Sequence, residues 1–110
     1  SIEGARIEYV DPSDPFKGWK TVFAKAGDKV CFNDIDFGEE SPGRVVIRVK
    51  SPQGGKLAIT VGETYQYLLP HSSEWMEVAY RAPFKVKHLQ DLQVELLFGT
   101  DVEIDWIMFR

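Results

Sequence analysis

The chain has 110 residues and a formal net charge of −4, with 44% hydrophobic and 13% aromatic residues. This is enough for one domain with a two-layer core, and too apolar for a disordered chain. The acidic balance, with no basic stripe, argues against nucleic acid as a main partner, and no apolar run approaches the roughly 20 residues of a membrane helix.

In chain order, Ser1 to Val10 reads as a first strand, with Gly4 as the site of a bulge. Asp11-Pro12-Ser13-Asp14-Pro15 is a loop by its turn chemistry, and Phe16, Gly18 and Trp19 continue it. An aromatic pair in such a loop either plugs the end of the core or forms a binding surface. Thr21 to Ala24 is a short strand, and Lys25 to Asp28 a turn. Lys29 to Phe37 is a strand that carries Asn33, Asp34 and Asp36. The single cysteine, Cys31, lies in it and reads as a small buried hydrophobe, so there is no internal disulfide.

Arg44 to Val49 alternates, with Val45, Ile47 and Val49 facing in. Ser51-Pro52-Gln53-Gly54-Gly55 turns into Leu57 to Val61, and Gly62-Glu63 turns into Thr64 to Leu69. After the loop Pro70 to Ser73, Glu74 to Ala82 places Met76, Val78 and Tyr80 on one face, with Trp75, Glu77 and Arg81 on the other. Pro83 ends that strand, and Phe84 to His88 is a short, partly charged segment. Asp91 to Phe98 alternates cleanly, and Gly99-Thr100-Asp101 turns into the last strand.

That last strand, Val102 to Arg110, is expected to be central. Val102, Ile104, Trp106 and Met108 share one parity and predict a core-facing side, with Trp106 buried between two sheets. Glu103 and Asp105 lie opposite, followed by Ile107 and Phe109. No window carries a 3.6-residue period. About nine short strands joined by Gly, Pro and Asp turns predict an all-β jelly-roll sandwich of two antiparallel sheets, spanning residues 1–110 as a single domain.

Little in the chain points to catalysis. His71 and His88 are isolated, with no spacing that suggests a triad, and there is no Gly-rich phosphate loop or metal-ligand cluster. The pairs Asp34/Asp36, Glu39/Glu40 and Glu103/Asp105 sit side by side on strands or in loops, whereas glycoside hydrolysis needs two carboxylates across a cleft. Glu103 and Asp105 stand on an otherwise apolar strand and need cations or hydrogen-bond donors as partners.

Three segments together resemble a family 6 carbohydrate-binding module. They are Gly27 to Gly38, the hairpin Val45 to Ser51 with Gly54-Gly55-Lys56-Leu57, and Ser72-Ser73-Glu74-Trp75 with the closing Ile104-Asp105-Trp106-Ile107. The resemblance implies a non-catalytic sugar-binding domain, not an enzyme by itself, that grips a sugar ring between two aromatics in loops at one end of the sandwich. A pyranose has apolar C–H faces and a polar rim, which suits aromatic plates with hydrogen-bonding groups at the edge.

Carried over by position, the early aromatic falls on Phe32, the loop tryptophan on Trp75, and the polar residue of the last strand on Glu103, where the family usually has Asn. Asn33 would stand at the rim, and Trp19 would add a third plate. Many members hold a structural calcium between the first and last strands. Asp105 matches the C-terminal contributor, with Glu8 or Glu3 on the N-terminal side. Arg6 falls where an acid or amide usually sits, so an Arg6–Asp105 ion pair is the alternative to the ion.

The resemblance further implies an oligo- or polysaccharide partner and a parent catalytic domain, in an extracellular or periplasmic glycoside hydrolase. No signal peptide is recognisable, so the segment reads as mature or excised from a longer chain. The alternative from another class is a structural sandwich that packs on its parent enzyme and has no working sugar site.

Overall fold

The computed structural model describes all 110 residues. Its strands are β1 (Ile2–Glu3), β2 (Arg6–Tyr9), β3 (Trp19–Phe23), β4 (Lys29–Asp36), β5 (Arg44–Ser51), β6 (Gly55–Val61), β7 (Glu63–Leu69), β8 (Ser72–Arg81), β9 (Leu89–Phe98) and β10 (Val102–Phe109). The one helical element is a 3-10 turn at Pro15–Lys17. A first sheet has the order β1-β4-β9-β6-β7 and a second the order β2-β3-β10-β5-β8. Every strand pair within them is antiparallel. The protein is an all-β sandwich, as its alternating strands predict.

The expected first strand is two strands, one in each sheet, which makes ten. Gly4 does not mark a bulge within one strand; there the chain crosses from β1 to β2. It has φ +80°, and a Cβ there would lie 2.1 Å from Asp28 Oδ1, so only glycine fits. Asp28 is buried and accepts from the Ala24 and Lys25 amides at 2.9 and 3.1 Å. It thereby closes the turn that leads into β4.

The core is an interdigitated layer of aliphatic and aromatic side chains. Phe23, Val45, Ile47, Val49, Leu57, Ile59, Leu96 and Val102 are fully buried. Cys31 does not join it. It pairs across the ladder with Gln93 and donates weakly to the Gln93 side-chain oxygen at 3.6 Å on the outer face of the first sheet. Alternation puts Val30, not its neighbour, inside.

The last strand departs from its sequence pattern at one residue. β10 pairs Ile104 with Val49 and then Trp106 with Arg48, leaving Asp105 as the extra residue of a β-bulge. Beyond it the parity inverts. Ile107 and Phe109 lie opposite the buried Ile47 and Val45 and pack on the core. Trp106 is half-buried opposite Arg48, and Met108 is 41% exposed. The expectation that Trp106 is buried between the sheets is therefore wrong, because strict alternation fails wherever a strand holds one residue more than its partner.

The two long sides of the sandwich differ. On one, the Tyr67 hydroxyl on β7 donates to the Arg81 carbonyl at 3.0 Å, and the Tyr80 hydroxyl on β8 donates to the Leu68 carbonyl at 2.6 Å. Each tyrosine thus ties its own sheet to the backbone of the other, with the rings 4.7 Å apart. The opposite side, between β4 and β2–β3, has no such tie and opens into a cleft.

Two outcomes follow from these contacts. Phe109→Ala should cost about 2–3 kcal/mol in denaturant unfolding, somewhat below a fully buried Phe, whereas Met108→Ala should stay within about 1 kcal/mol. The reverse order would mean an unbulged strand. Burial, with the nearby Tyr65 as a second cause, pushes the Tyr67 phenol up from 10.0 to about 12. The unfolded chain therefore loses this proton first, and the stability tied to Tyr67 is complete below pH 10 and falls as the pH rises towards 12. Tyr67→Phe should cost about 1 kcal/mol at neutral pH and flatten the alkaline limb of the stability curve. An unchanged limb would remove Tyr67 from the account.

Candidate functional site

The open side of the sandwich holds a cleft of about 400 Å³. Its walls come from both sheets. β4 supplies Phe32 and Ile35, β3 supplies Trp19 and Thr21, and β10 supplies Asp105 and Trp106. Two bulges shape it. In β4 the ladder pairs Phe32 with Leu92 and then Ile35 with Gln90, so one residue is extra, and Asp34 takes φ +57°. The Asp34 amide donates to Asp91 Oδ1 at 3.2 Å, which holds this turn of the backbone. The extra residue keeps Phe32 and Ile35 on the same inner face. The Asp105 bulge of β10 borders the same cleft.

Two large aromatics stand at this opening without being spent on the core. Trp19 is 54% exposed and Phe32 39% exposed. Trp19 stacks on Tyr9 with ring centroids 3.9 Å apart and an interplanar angle of 24°, which fixes its plane and leaves one face open. The loop before it is pinned by its own acids. Asp11 accepts from the Ser13 amide and hydroxyl at 3.0 and 2.7 Å and pairs with Lys17 at 3.2 Å, while Asp14 accepts from the Phe16 amide at 3.1 Å. These bonds to Ser13 and Lys17 hold the Asp11 carboxyl below the usual range.

The structure brings only some of the predicted site residues together. Trp19 and Phe32 line the cleft, and Asn33 is exposed next to Phe32 in the β4 bulge. Trp75 does not join them. It is half-buried on the outer face of the second sheet, with the Arg48 guanidinium 5.5 Å and the Lys50 ammonium 5.8 Å from its ring centroid. A ring covered by two cations is committed to cation–π contact. The expectation of a sugar held between Phe32 and Trp75 fails because the two side chains occupy different faces of different sheets.

Glu103 lies on the same outer face, bonded to Lys20 and 3.9 Å from Lys50. It reaches the cleft only through Lys20, which borders it. Trp106, at the border of the cleft, is the residue that the sequence pattern assigned to the core instead. The bulge that moves it leaves no mark in hydrophobic alternation.

The acids expected to hold calcium are spent on cations. Asp105 Oδ2 accepts from Arg48 Nε at 3.1 Å, Glu3 pairs with Lys29 at 3.3 Å, and Glu8 bonds Arg6. The Arg6 guanidinium, by hydrogen bond and charge, holds the Glu8 carboxyl below its ordinary range. Calcium takes six to eight oxygens, and no group of three or more His, Cys, Asp or Glu side chains is placed to hold a metal ion. These donor residues do not fit the ion. The Arg6–Asp105 pair does not form either, since Asp105 takes its cation from β5.

No protein-family model matches the sequence, and no curated relative does. Solved structures do. A family 6 carbohydrate-binding module from Clostridium stercorarium, in complex with cellobiose, is 18% identical with a TM-score of 0.76, covering 99% of this chain and 85% of that one. A β-1,3-glucan-binding module of the same family from Bacillus halodurans is 19% identical with a TM-score of 0.77, covering 100% of this chain and 88% of that one. A family 43 arabinoxylan arabinofuranohydrolase from Bacillus subtilis, in complex with cellotetraose, is 19% identical with a TM-score of 0.78, over 96% of this chain and 24% of that enzyme. The chain has the β-sandwich fold of the family 6 carbohydrate-binding modules.

Proposed function

We propose that this chain is a non-catalytic carbohydrate-binding module that holds a sugar ring at the mouth of the inter-sheet cleft, against Trp19 and Phe32. The observation that carries this reading is the pair of exposed aromatics on one opening, one from each sheet. An aromatic face matches the C–H face of a pyranose, and Asn33 offers both donors and acceptors to its rim. The rim is charge-balanced. Lys20 is tied to Glu103, and Asp105 to Arg48, so a neutral sugar suits it better than an anionic one. Hydrolysis is not proposed, because Asp105, the one carboxylate lining the cleft, is held by an arginine.

The likeness to one segment of a family 43 enzyme supports a further placement: an accessory domain of a secreted glycoside hydrolase, extracellular or periplasmic. A second reading draws on Phe16, which is 99% exposed on the pinned loop. In it the domain is a structural sandwich docked on a catalytic domain through that loop.

Titration of the isolated domain with neutral oligosaccharides, followed by tryptophan fluorescence and backbone NMR shifts, separates the two readings. Binding should be weak, in the millimolar to high micromolar range, since an open site holds few ligand atoms. Trp19→Ala and Phe32→Ala should each weaken it about tenfold or more, by 1.4 kcal/mol or more, and Trp75→Ala should not. Loss of binding in Trp75→Ala alone would overturn the site. No perturbation by any sugar at millimolar concentration, together with protection of Phe16 by a catalytic domain, would favour the structural reading.

The paired acids set a separate expectation. Chelator and added calcium should each leave the melting temperature unmoved within about 1 °C, because an ion that bound the native state alone would raise it by mass action. A rise of several degrees with calcium would require oxygens other than these paired carboxylates.

A further inference from the structure

A pyranose alone does not match the inside of the cleft. Of the fifteen residues that line it, only Lys20, Thr21 and Asp105 are polar, and the first and last are engaged with Glu103 and Arg48. A sugar buried there would leave hydroxyls without partners, at a cost of about 1–3 kcal/mol each. Water is no better served, since an ordered buried water needs two to four polar partners. The floor is instead formed by the buried Phe23, Val94, Leu92 and Ile104, with Ile107 and Phe109 on the β10 side. The whole cleft, mouth included, has a volume of about 400 Å³. Hydroxyl-binding chemistry therefore lies at the rim, and the lining beside it is apolar.

We propose that the cleft takes a neutral sugar that carries an aromatic substituent, with the sugar at Trp19 and Phe32 and the aryl group against the apolar lining beside them. The inference rests on the sugar-binding reading and adds the class of ligand. An aryl rather than an alkyl group is chosen because Phe32 and Phe109 both line the cleft, and aromatic rings gain from edge and face contact beyond their area.

The test compares four ligands on the unmodified chain by calorimetry and NMR: methyl and phenyl β-glucoside, and methyl and phenyl β-xyloside. Phenol alone is the control. The phenyl glycoside of at least one sugar should bind about tenfold more tightly than its methyl counterpart, the gain expected when part of a ring's burial survives the cost of ordering it. Thr21→Leu and Ile35→Phe, which fill the cleft from opposite sheets, should each bring the phenyl glycoside to the methyl level while leaving methyl glycoside binding unchanged. Two variants guard against misfolding of either one. Equal affinity for methyl and phenyl forms overturns the aryl inference and leaves the sugar reading standing. Phenol binding as tightly as the phenyl glycosides, with no methyl glycoside binding, overturns both, as does binding of none of the four.

Discussion

One extra residue in the last strand decides which side chains of β10 reach the core. β10 is the middle strand of its sheet, paired on both sides, so a change of parity there cannot be absorbed at an edge. Asp105 sits out of the ladder, Ile107 and Phe109 turn inward, and Trp106 and Met108 turn away. The bulge is held by the Asp105–Arg48 bond to the neighbouring β5. A carboxylate among β-branched and aromatic residues would be costly if unpaired, and pairing across strands offsets part of that cost. Phe109 then meets Phe37 at 5.1 Å and Phe84 at 6.1 Å, both edge-on. In this way Phe84, from a segment with no regular structure, joins the main core.

The cleft follows from an asymmetry of closure. Where β7 and β8 meet, two tyrosines bond each other's sheet and bring the edges together. Where β4 faces β2 and β3, the inner side chains meet no such tie, and aromatic rings line the gap. One bulge in each sheet borders it, at Asp105 and in β4. A bulge bends its strand and adds local twist, which separates two sheets that would otherwise stay packed at about 10 Å. The feature that re-aims Trp106 thus borders the cleft.

Charge is arranged to be silent around this opening. Arg6–Glu8, Lys20–Glu103–Lys50 and Arg48–Asp105 run across the outer face of the second sheet, and Arg48 and Lys50 also cover Trp75. Such partly exposed pairs contribute little stability each. They do pair these carboxylates with cations, which leaves the lining of the cleft largely apolar.

Much of the sandwich was legible in the chain. Val45, Ile47 and Val49, and Leu92, Val94 and Leu96, alternate so regularly that their inward face follows from a period of two, and Gly, Pro and Asp placed the turns. The resemblance of three segments pointed to the correct fold, and Trp19 and Phe32 were legible as aromatics to watch.

The sequence did not reveal which residues are neighbours across strands. A bulge is a property of two strands in register, so Asp105 and the β4 bulge leave no mark in either strand's own pattern. The switch of sheets at Gly4 depends on the space that Asp28 occupies. Trp75 and Phe32 lie in two segments that resemble the same family, but the sheets place them on separate faces. By itself the sequence determined most of the strands and the all-β sandwich, because burial of alternating apolar side chains is a local signal. Only the tertiary structure decided which aromatics share a cleft and which acids keep a free charge, because both depend on long-range pairing that no single strand encodes.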